Sequence, residues 1–332
     1  INPMQYGTIV HYILERFFGE YTKEEYLSLE EDKLQKIVCA YLAEYAVKYF
    51  GEEQLESNSF TYRLKTILDN VMHLMKHIME ELSQSEFFVA DCELKIGEDI
   101  PSYTIVLPDG HKIAVCGSVD RVDIMQRADI TYLRIIDYKT GTKQFKLSDI
   151  LYGINLQMLL YLHSIEASGG DKYGEIVPAG ILYMPATVPY ISSDSLKSID
   201  KLPDELNKKL KMNGLLLKDT EIIHGMDKTD VATYIPVKIK AGEPVSSTSL
   251  ATLAEFGKIF KKVDMLIAEM GKNIYNGNIE AKPLKGGHDS CEYCPYDSVC
   301  AYRQSNPITC FSVDNKTVIE EITNEINGKE EE

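Results

Sequence analysis

Two carboxylates and one lysine stand at the ends of two neighbouring apolar segments of the sequence. Asp120 ends the segment 114–120, and Asp137 and Lys139 end the segment 133–139. Because alternate side chains share one face of a strand, Asp137 and Lys139 are expected to point the same way. If the two segments pair as a hairpin, all three polar groups converge at one edge of a sheet.

Such a group suits metal-dependent cleavage of a phosphodiester. Burying two carboxylates beside one ammonium is unfavourable without a metal ion or tight pairing. Oxygen ligands suit Mg²⁺ or Mn²⁺, which bridge to substrate phosphates, activate water and stabilise developing charge. A nearby lysine can orient or deprotonate the water, or neutralise the transition state. The alternative is an ordinary ion pair at a strand end, which has the same D-x-K spacing.

Two predicted helices carry further polar pairs. His11 follows Gly7 in a G-x-x-x-H pattern, and Glu15 lies one helical turn later on the same face. Gln157 and Tyr161 are also one turn apart, so both can face a metal site, where they could bind DNA phosphate. The alternatives are a half-buried histidine beside a surface glutamate, and a helix surface that merely caps the sheet.

The hydrophobic pattern predicts helices, then a group of strands, then further helices. A helix is expected to begin at Asn2 as N-cap, with Pro3 in the first position and Gln5 completing a capping box. This order implies a mixed α/β core. The predicted helices are 2–18, 30–50, 60–82, 150–165 and 249–275. The predicted strands are 90–96, 103–107, 112–125, 132–139 and 179–184, and residues 186–250 are expected to be rich in loops.

Three of the seven cysteines, Cys291, Cys294 and Cys300, form a C-x2-C-x5-C array in a loop. They could make a local zinc site with His288, or they could contribute to a [4Fe–4S] site whose fourth thiolate lies elsewhere in the sequence. Cys116 is expected in the core, since it lies in the apolar row before Asp120. An odd, mostly scattered set of cysteines without a secretion signal favours the reducing cytoplasm.

The formal net charge is -16, from 51 acidic and 35 basic residues. This balance argues against binding nucleic acid by bulk attraction, although a partner subunit could supply a basic surface. Some of the acidic excess lies in residues 311–332, which are expected to form a solvated, frayed tail. No apolar run approaches the roughly 18–20 residues that would span a bilayer. The first residue is not methionine, which suggests a piece of a longer chain.

The sequence resembles the PD-(D/E)XK nucleases of the RecB type. The resemblance rests on residues 117–123 (GSVDRVD) and 135–141 (IIDYKTG), with the G-x-x-x-H and Q-x-x-x-Y elements in the family's order. It implies a restriction-endonuclease-like fold, in which helices flank a central mixed β-sheet. The site roles that it implies are metal ligands (His11, Asp120, Asp137 and the Tyr138 carbonyl), a catalytic lysine (Lys139) and positioning residues (Gln157 and Tyr161).

The cysteine array is similar to that of AddB-type subunits of bacterial helicase–nucleases and of CRISPR-associated RecB-like exonucleases. Residues 178–184 and 211–217 also look AddB-like. In those proteins the fourth cysteine lies upstream of the G-x-x-x-H helix, so the resemblance implies a [4Fe–4S] staple that is incomplete in this piece. It further implies an Mg²⁺- or Mn²⁺-dependent exonuclease that is fed single-stranded DNA beside an AddA-like subunit. That role belongs to double-strand-break repair and recombination in the cytoplasm, with no membrane partner.

Two other interpretations stay open from the sequence: an inactive DNA-binding or scaffolding module of the same complex, and a free-standing RecB-like exonuclease. The predicted organisation is one nuclease domain, residues 1–310, followed by an acidic tail, residues 311–332. Four segments make up the domain: a helical segment with His11 (1–85), the catalytic sheet with the Gln157/Tyr161 helix (86–185), a loop-rich and helical segment (186–285) and the cysteine cluster (286–310).

Overall fold

A six-stranded mixed sheet forms the centre of the protein. The computed structural model describes residues 1–141, 143–188, 202–246, 248–296, 298–300, 302 and 307–330. The strands, in chain order, are β1 (Phe88–Ile96), β2 (Tyr103–Val106), β3 (Lys112–Val115), β4 (Gly117–Arg127), β5 (Ile130–Lys139), β6 (Glu175–Pro185), β7 (Asn213–Leu217), β8 (Lys238–Lys240), β9 (Glu243–Val245), β10 (Leu250–Ala251), β11 (Leu284–Gly286) and β12 (Ile308–Cys310).

The order of strands in the central sheet is β1-β4-β5-β6-β7-β10. β4 pairs antiparallel with β1 and β5, and β6 pairs antiparallel with β7. β5 and β6 are parallel, as are β7 and β10. The sheet is therefore mixed, as the sequence predicts. β2 with β3, β8 with β9, and β11 with β12 form separate two-stranded pairs.

The helices precede and follow the first strand group, as predicted. They are α1 (Pro3–Glu20), α2 (Lys23–Leu27), α3 (Glu31–Phe50), α4 (Glu52–Leu55), α5 (Asn58–Ser83), α6 (Gln157–Ser168), α7 (Gly170–Tyr173), α8 (Leu202–Leu210), α9 (Thr220–Met226), α10 (Leu253–Tyr275) and α11 (Asn315–Glu330). α1 begins with the expected capping box between Asn2 and Gln5. The prediction that α6 begins at residue 150 was wrong, because a 3-10 helix ends at Gly153, which has a φ of 68°.

Two groups of helices cover the sheet. In the first, α1, α3 and α5 pack together and α1 lies against β1. In the second, α6 lies against β6, and α10 lies between α6 and α11. Residues 186–250, expected to be rich in loops, contain α8, α9 and four short strands in their described portion. No helix in the described portion of the chain is both long enough and apolar enough to cross a membrane.

Four fully buried charges join α5 to the sheet. Arg121 donates two hydrogen bonds to Asp123, at 2.6 and 2.7 Å, and a third to Glu81. Arg134 bonds both Glu81 (2.6 Å) and Asp123 (2.8 Å). Buried charges are tolerated when each is paired and hydrogen-bonded. Because two guanidinium groups face two carboxylates, this network fixes β4 and β5 under α5.

The acidic end of the chain is helical in its described part, α11, so the expectation of a frayed tail was wrong there, and residues 331–332 lie outside the described residues. In α11, Val318, Ile322 and Ile326 recur every four residues and are buried. Glu325 lies 2.5 Å from Lys262 of α10. The negative charge of this segment thus occupies one face of an amphipathic helix, whose apolar face packs on the protein.

The expectation that Cys116 lies in the core was also wrong, since its side chain is exposed. Cys116 stands between Val115, which ends β3, and Gly117, which begins β4. The chain changes there from a two-stranded pair to the central sheet. The apolar row that leads to Asp120 is therefore interrupted before it enters the core.

Candidate active site

The hairpin of β4 and β5 brings Asp120 and Asp137 together. The strands pair antiparallel with Arg121 opposite Ile136, and the backbone N–H of Tyr138 donates to Asp120 Oδ2 at 2.9 Å. The ammonium of Lys139 lies 2.5 Å from Asp137 Oδ2. The strand pairing expected from the sequence therefore gathers both carboxylates and the lysine at one end of the hairpin.

His11 reaches this group from α1. Its Nδ1 atom lies 3.0 Å from Glu93 Oε1, and its Nε2 atom lies 3.6 Å from Asp120 Oδ2. Ile9, Val10 and Ile13 anchor α1 through side chains that are buried completely. Since these neighbours fix the helix, the imidazole is held over the end of β4. Glu15 is exposed one turn later, along the same open cleft.

Glu93 of β1 is a site residue that the sequence did not reveal. Its Oε2 atom accepts a hydrogen bond from Ser118 Oγ at 2.9 Å, while Oε1 faces His11. Its φ of 49° is unusual for a residue that is not glycine, and it aims the carboxylate at the site. A glutamate in a half-buried strand carries no signal of its own. Only the folded chain shows its position beside His11, 82 residues away.

The electrostatics of the site favour a bound cation. Burial raises the pKa of Asp120 to about 6, and the negative charge of Asp137 adds to the effect against the opposing influence of His11. Burial lowers the pKa of His11, but the hydrogen bond with Glu93 and the charge of Asp120 outweigh it, so the net shift is upward. The hydrogen bond from His11 in turn lowers the pKa of Glu93. The cluster gathers more negative charge than its own residues neutralise.

The donor set fits a metal ion of the Mg²⁺ or Mn²⁺ class. Among the described residues, His11, Glu93 and Asp120 alone form a group of three potential ligands whose atoms lie within 4.8 Å of one another. Asp137 Oδ2 is buried, and its partner in the described chain is the Lys139 ammonium, 2.5 Å away. Carboxylate oxygens gathered in this way are the ligands that a hard cation prefers.

Tyr138 can offer the site a metal ligand only through its backbone, while its ring lies edge-on to His11 with the ring centroids 5.8 Å apart. Alternation along β5 places its side chain on the face opposite Asp137. There the phenol is buried and receives a hydrogen bond from Arg121 Nη1 at 3.3 Å. The Tyr138 carbonyl, which the sequence predicts as a ligand, therefore remains a prediction that this orientation permits.

The structure places Tyr161 against the hairpin and leaves Gln157 exposed at the start of α6. Tyr161 packs on Gly117, the first residue of β4, so closely that a Cβ there would lie 2.2 Å from the phenol oxygen. The contact ties α6 to the strand that carries Asp120. Gln157 begins α6, and its side chain is exposed. The roles predicted for these two residues in binding DNA stay predictions.

The structure does not gather the described sulfur atoms of the cysteine array into a site for a single metal ion. Cys291 and Cys294 are half-buried and Cys300 is exposed. Within the described ranges their sulfur atoms do not come together as a group of three, either alone or with His288. The arrangement as it stands therefore does not fit a single zinc ion held by these side chains. Cys310 is buried in β12, where it pairs with Gly286.

Known proteins resemble the chain over nearly its whole length. The family model of the PD-(D/E)XK nuclease superfamily matches residues 1–301. Similar curated proteins include three that are named as the B subunits of ATP-dependent helicase/deoxyribonucleases. They come from Thermoanaerobacter sp. strain X514 (34% identity over 91% of this chain), Alkaliphilus oremlandii (33% over 98%) and Clostridium acetobutylicum (32% over 91%).

These relatives are much longer proteins. The chain spans 27% of the Thermoanaerobacter and Clostridium proteins and 29% of the Alkaliphilus protein. The segment that the family model matches, residues 1–301, includes every element of the carboxylate site described above. Because the family model covers most of the sequence and the relatives exceed 30% identity, the chain belongs to the PD-(D/E)XK nuclease superfamily.

Proposed function

We propose that this chain is a metal-dependent deoxyribonuclease module that hydrolyses the phosphodiester backbone of DNA. One observation carries the proposal. His11 and Asp120 meet at the end of the hairpin where the buried Asp137 carboxylate is paired with Lys139. This combination provides a binding site for a metal cation, with the positive side chain of Lys139 next to it.

The proposed metal ligands are His11, Asp120, Asp137 and the Tyr138 carbonyl. Mg²⁺ or Mn²⁺ would supply an activated water and stabilise the charge that develops on the phosphate. Glu93 holds Nδ1 of His11, which leaves Nε2 directed toward Asp120. The hydrogen bond from the Tyr138 N–H holds Oδ2 of Asp120 in place. The protein therefore fixes its ligand atoms before substrate arrives.

Lys139 is proposed as the catalytic lysine. Its ammonium is in contact with Asp137 yet remains partly exposed to the cleft. From there it can hold the attacking water by a hydrogen bond and offset negative charge on the phosphate. Tyr161 would position β4 through Gly117. Gln157, in the first turn of α6, would bind the DNA strand.

The wider role is also a proposal, supported by the names of the relatives and the greater length of those proteins. We propose that the module belongs to a helicase–nuclease, acts as an exonuclease on single strands and works beside an AddA-like subunit in double-strand-break repair. The net charge of -16 supports delivery of DNA by other domains, since the module itself lacks bulk attraction for phosphate.

A [4Fe–4S] cluster is proposed only for the longer protein. The support is the C-x2-C-x5-C spacing of Cys291, Cys294 and Cys300. The fourth thiolate would come from outside the array. Iron and sulfide analysis of the full-length protein, purified without oxygen, is expected to find both. Stoichiometric zinc without iron would overturn this assignment.

The test of the nuclease proposal is cleavage of end-labelled DNA. The chain is incubated with single-stranded or double-stranded oligonucleotide and Mg²⁺ or Mn²⁺, with EDTA as the metal-free control. Lys139→Ala and Asp120→Ala are expected to lower the rate by at least about a hundredfold, as removal of a preorganised charge does. Lys112→Ala, which removes an exposed lysine of β3, is the matched control.

The outcomes separate the proposals. Cleavage that requires the metal and Lys139 supports the nuclease proposal. The rates on the single-stranded and double-stranded oligonucleotides then give the strand preference. No cleavage by the wild-type chain, or cleavage that survives both substitutions, would sink the catalytic assignment in favour of a binding or scaffolding module. Products shortened step by step from one labelled end support an exonuclease, whereas internal fragments contradict it.

A further inference from the structure

We propose that Lys143, held over the ring of Tyr183, forms a second phosphate-binding subsite, which takes the backbone phosphate next to the one that is cut. This inference rests on the proposed function and extends it to a substrate contact outside the metal ligands and Lys139. It assigns a binding role to the segment that follows β5.

Two lysine ammonium groups lie over one aromatic ring. Lys143 Nζ is 5.0 Å from the centroid of the Tyr183 ring, and Lys139 Nζ is 5.8 Å from the same centroid. Tyr183 is the direct partner of Asp137 in the parallel pairing of β5 with β6. Lys143 is therefore one strand away from the proposed metal ligand, on the side where the sheet continues toward β7.

Asn213 holds the Lys143 segment in this position. Its Nδ2 atom donates to the carbonyl of Lys143 at 3.0 Å, and its Oδ1 atom accepts from the N–H of Phe145 at 2.7 Å. Asn213 is itself the β7 partner of Tyr183. The side chain of Asn213 thus makes the hydrogen bonds that a neighbouring strand would make to the segment after β5. These bonds fix Lys143 above Tyr183. A segment anchored in this way can present its ammonium with little further ordering of the backbone.

The charge of Lys143 is not balanced by a contact with an acid. Within the described chain, it makes no ion pair with a carboxylate, and Asp149 and Asp137 act on it only at longer range. Burial lowers the pKa of Lys143, and the positive charge of Lys139 lowers it further. The Tyr183 hydroxyl is buried there as well and has no hydrogen-bond partner among the described atoms.

A phosphate is the ligand that suits this place. Both ammonium groups lie over the Tyr183 ring, and among the described residues a carboxylate is in contact with Lys139 but not with Lys143. A half-buried cation with no paired anion gains most from an anionic ligand that is held close. Since DNA carries its phosphates at regular intervals, a strand whose scissile phosphate meets Lys139 brings another toward Lys143. Contacts of this kind position the strand and read no base sequence.

The first experiment measures binding without cleavage. The affinity of a fluorescent single-stranded oligothymidylate is measured by anisotropy in EDTA, across about 50 to 200 mM salt. Lys143→Met is expected to weaken binding, and to reduce the slope of log affinity against log salt by about 0.7, as for one lost phosphate contact with a single strand. Lys146→Met removes an exposed lysine three positions later and should leave the slope unchanged. Lys143→Arg should restore it.

The second experiment separates the subsite from the chemistry. On an oligonucleotide with Mn²⁺, Lys143→Met is expected to lower kcat/KM about tenfold, the effect of losing one hydrogen bond to a charged group. On the p-nitrophenyl ester of thymidine 5′-phosphate, which has a single phosphate, it should match the wild-type rate. An equal loss on both substrates would place Lys143 at the scissile phosphate and overturn the proposal.

The failure of the nuclease proposal would look different. If the wild-type chain does not cleave, the salt-dependent binding in EDTA still tests Lys143. An unchanged salt slope in Lys143→Met, in a variant whose circular dichroism and melting temperature match the wild type, would overturn the subsite regardless of activity.

Discussion

His11 and Glu93 are joined through one ring nitrogen, which determines what the other nitrogen can do. Nδ1 lies 3.0 Å from Glu93 Oε1, and Nε2 faces Asp120 at 3.6 Å. An imidazole that donates its Nδ1–H to a carboxylate presents the lone pair of Nε2. Carboxylates in this position orient metal-binding histidines and raise their basicity. Glu93 is therefore best understood as the residue that prepares His11 as a ligand.

Replacing Glu93 by glutamine should weaken metal binding without removing a ligand. The Glu93→Gln side chain keeps an acceptor for His11 but loses its charge, so the affinity for Mn²⁺ is expected to fall about 10- to 100-fold. Isothermal titration calorimetry measures it. Glu98→Gln, in the turn after β1 where Glu98 contacts Lys95, is the matched control. An affinity equal to that of the wild type would mean that Glu93 does not prepare His11.

Asp120 should make the metal-free protein less stable. Burial raises its pKa from 3.8 to about 6 in the folded chain. The protonated carboxyl group therefore makes its full contribution to the stability of the fold below pH 3.8, and that contribution is lost as the pH rises through about 6. Above that pH the buried carboxylate destabilises the fold. Asp120→Asn should then raise the free energy of unfolding by about 3 kcal/mol near pH 8, while Mn²⁺ binding is lost.

Urea unfolding in EDTA, followed by circular dichroism, checks the stability of Asp120→Asn. Asp171→Asn replaces an exposed aspartate of α7 and should leave the free energy of unfolding unchanged. A variant that is less stable than the wild type without metal would contradict the argument, because it would show that the carboxylate is already well compensated. The expected combination, a more stable protein that no longer binds metal, reflects the usual trade-off between stability and activity at an active site.

Local signals in the sequence were sufficient for much of the fold. The capping box of Asn2 and Gln5 marks the start of α1, and alternation along residues 133–139 predicts which side chains share a face. The convergence of Asp120 with Asp137 followed from one further assumption, that the two strands pair as a hairpin. Those features depend on neighbours in the chain, so a sequence displays them.

Contacts between distant segments of the chain were beyond such signals. Glu93 looks like any polar residue of a half-buried strand until α1 brings His11 to it. Arg121 and Arg134 look like surface residues, yet both are fully buried because Glu81 arrives from α5 to pair with them. The acidic residues of α11 suggested a solvated end, although its apolar residues, spaced four apart, pack on the protein. In each case the deciding partner is remote in sequence.

His163 should contribute stability that depends on pH. It lies in α6 at 3.2 Å from Asp264 and 3.4 Å from Glu166, and stacks on Phe260 with ring centroids 4.6 Å apart. Burial works to lower its pKa, but Asp264 and Glu166 outweigh that effect and raise it from 6.5 to about 9. The stabilisation is therefore complete below pH 6.5 and is lost as the pH rises through about 9.

The His163→Gln variant isolates this contribution. Near pH 6 it should be less stable than the wild type by about 3 kcal/mol from the lost charge, plus a constant term from the lost stacking on Phe260. The difference should shrink toward the constant term between about pH 6.5 and pH 9. His73→Gln replaces an exposed histidine of α5 and serves as the control in the same denaturant titrations. A difference that stays constant over this range would show that His163 is not charged in the folded protein.

Gly117 should be coupled to Tyr161 through the close approach of α6 to β4. A Cβ at Gly117 would lie 2.2 Å from the phenol oxygen and 2.6 Å from the ring carbon that bears it, so Gly117→Ala must displace the ring. We expect a loss of about 1–3 kcal/mol in the free energy of unfolding, as for other overpacked sites. In a Tyr161→Ala background the obstacle is gone, and the same substitution should cost much less. The double-mutant cycle measures this coupling directly.

Equal costs in the two backgrounds would show that Gly117 is needed for its backbone and not to admit Tyr161. Coupled costs would identify Tyr161 as the side chain that sets the position of the strand carrying Asp120.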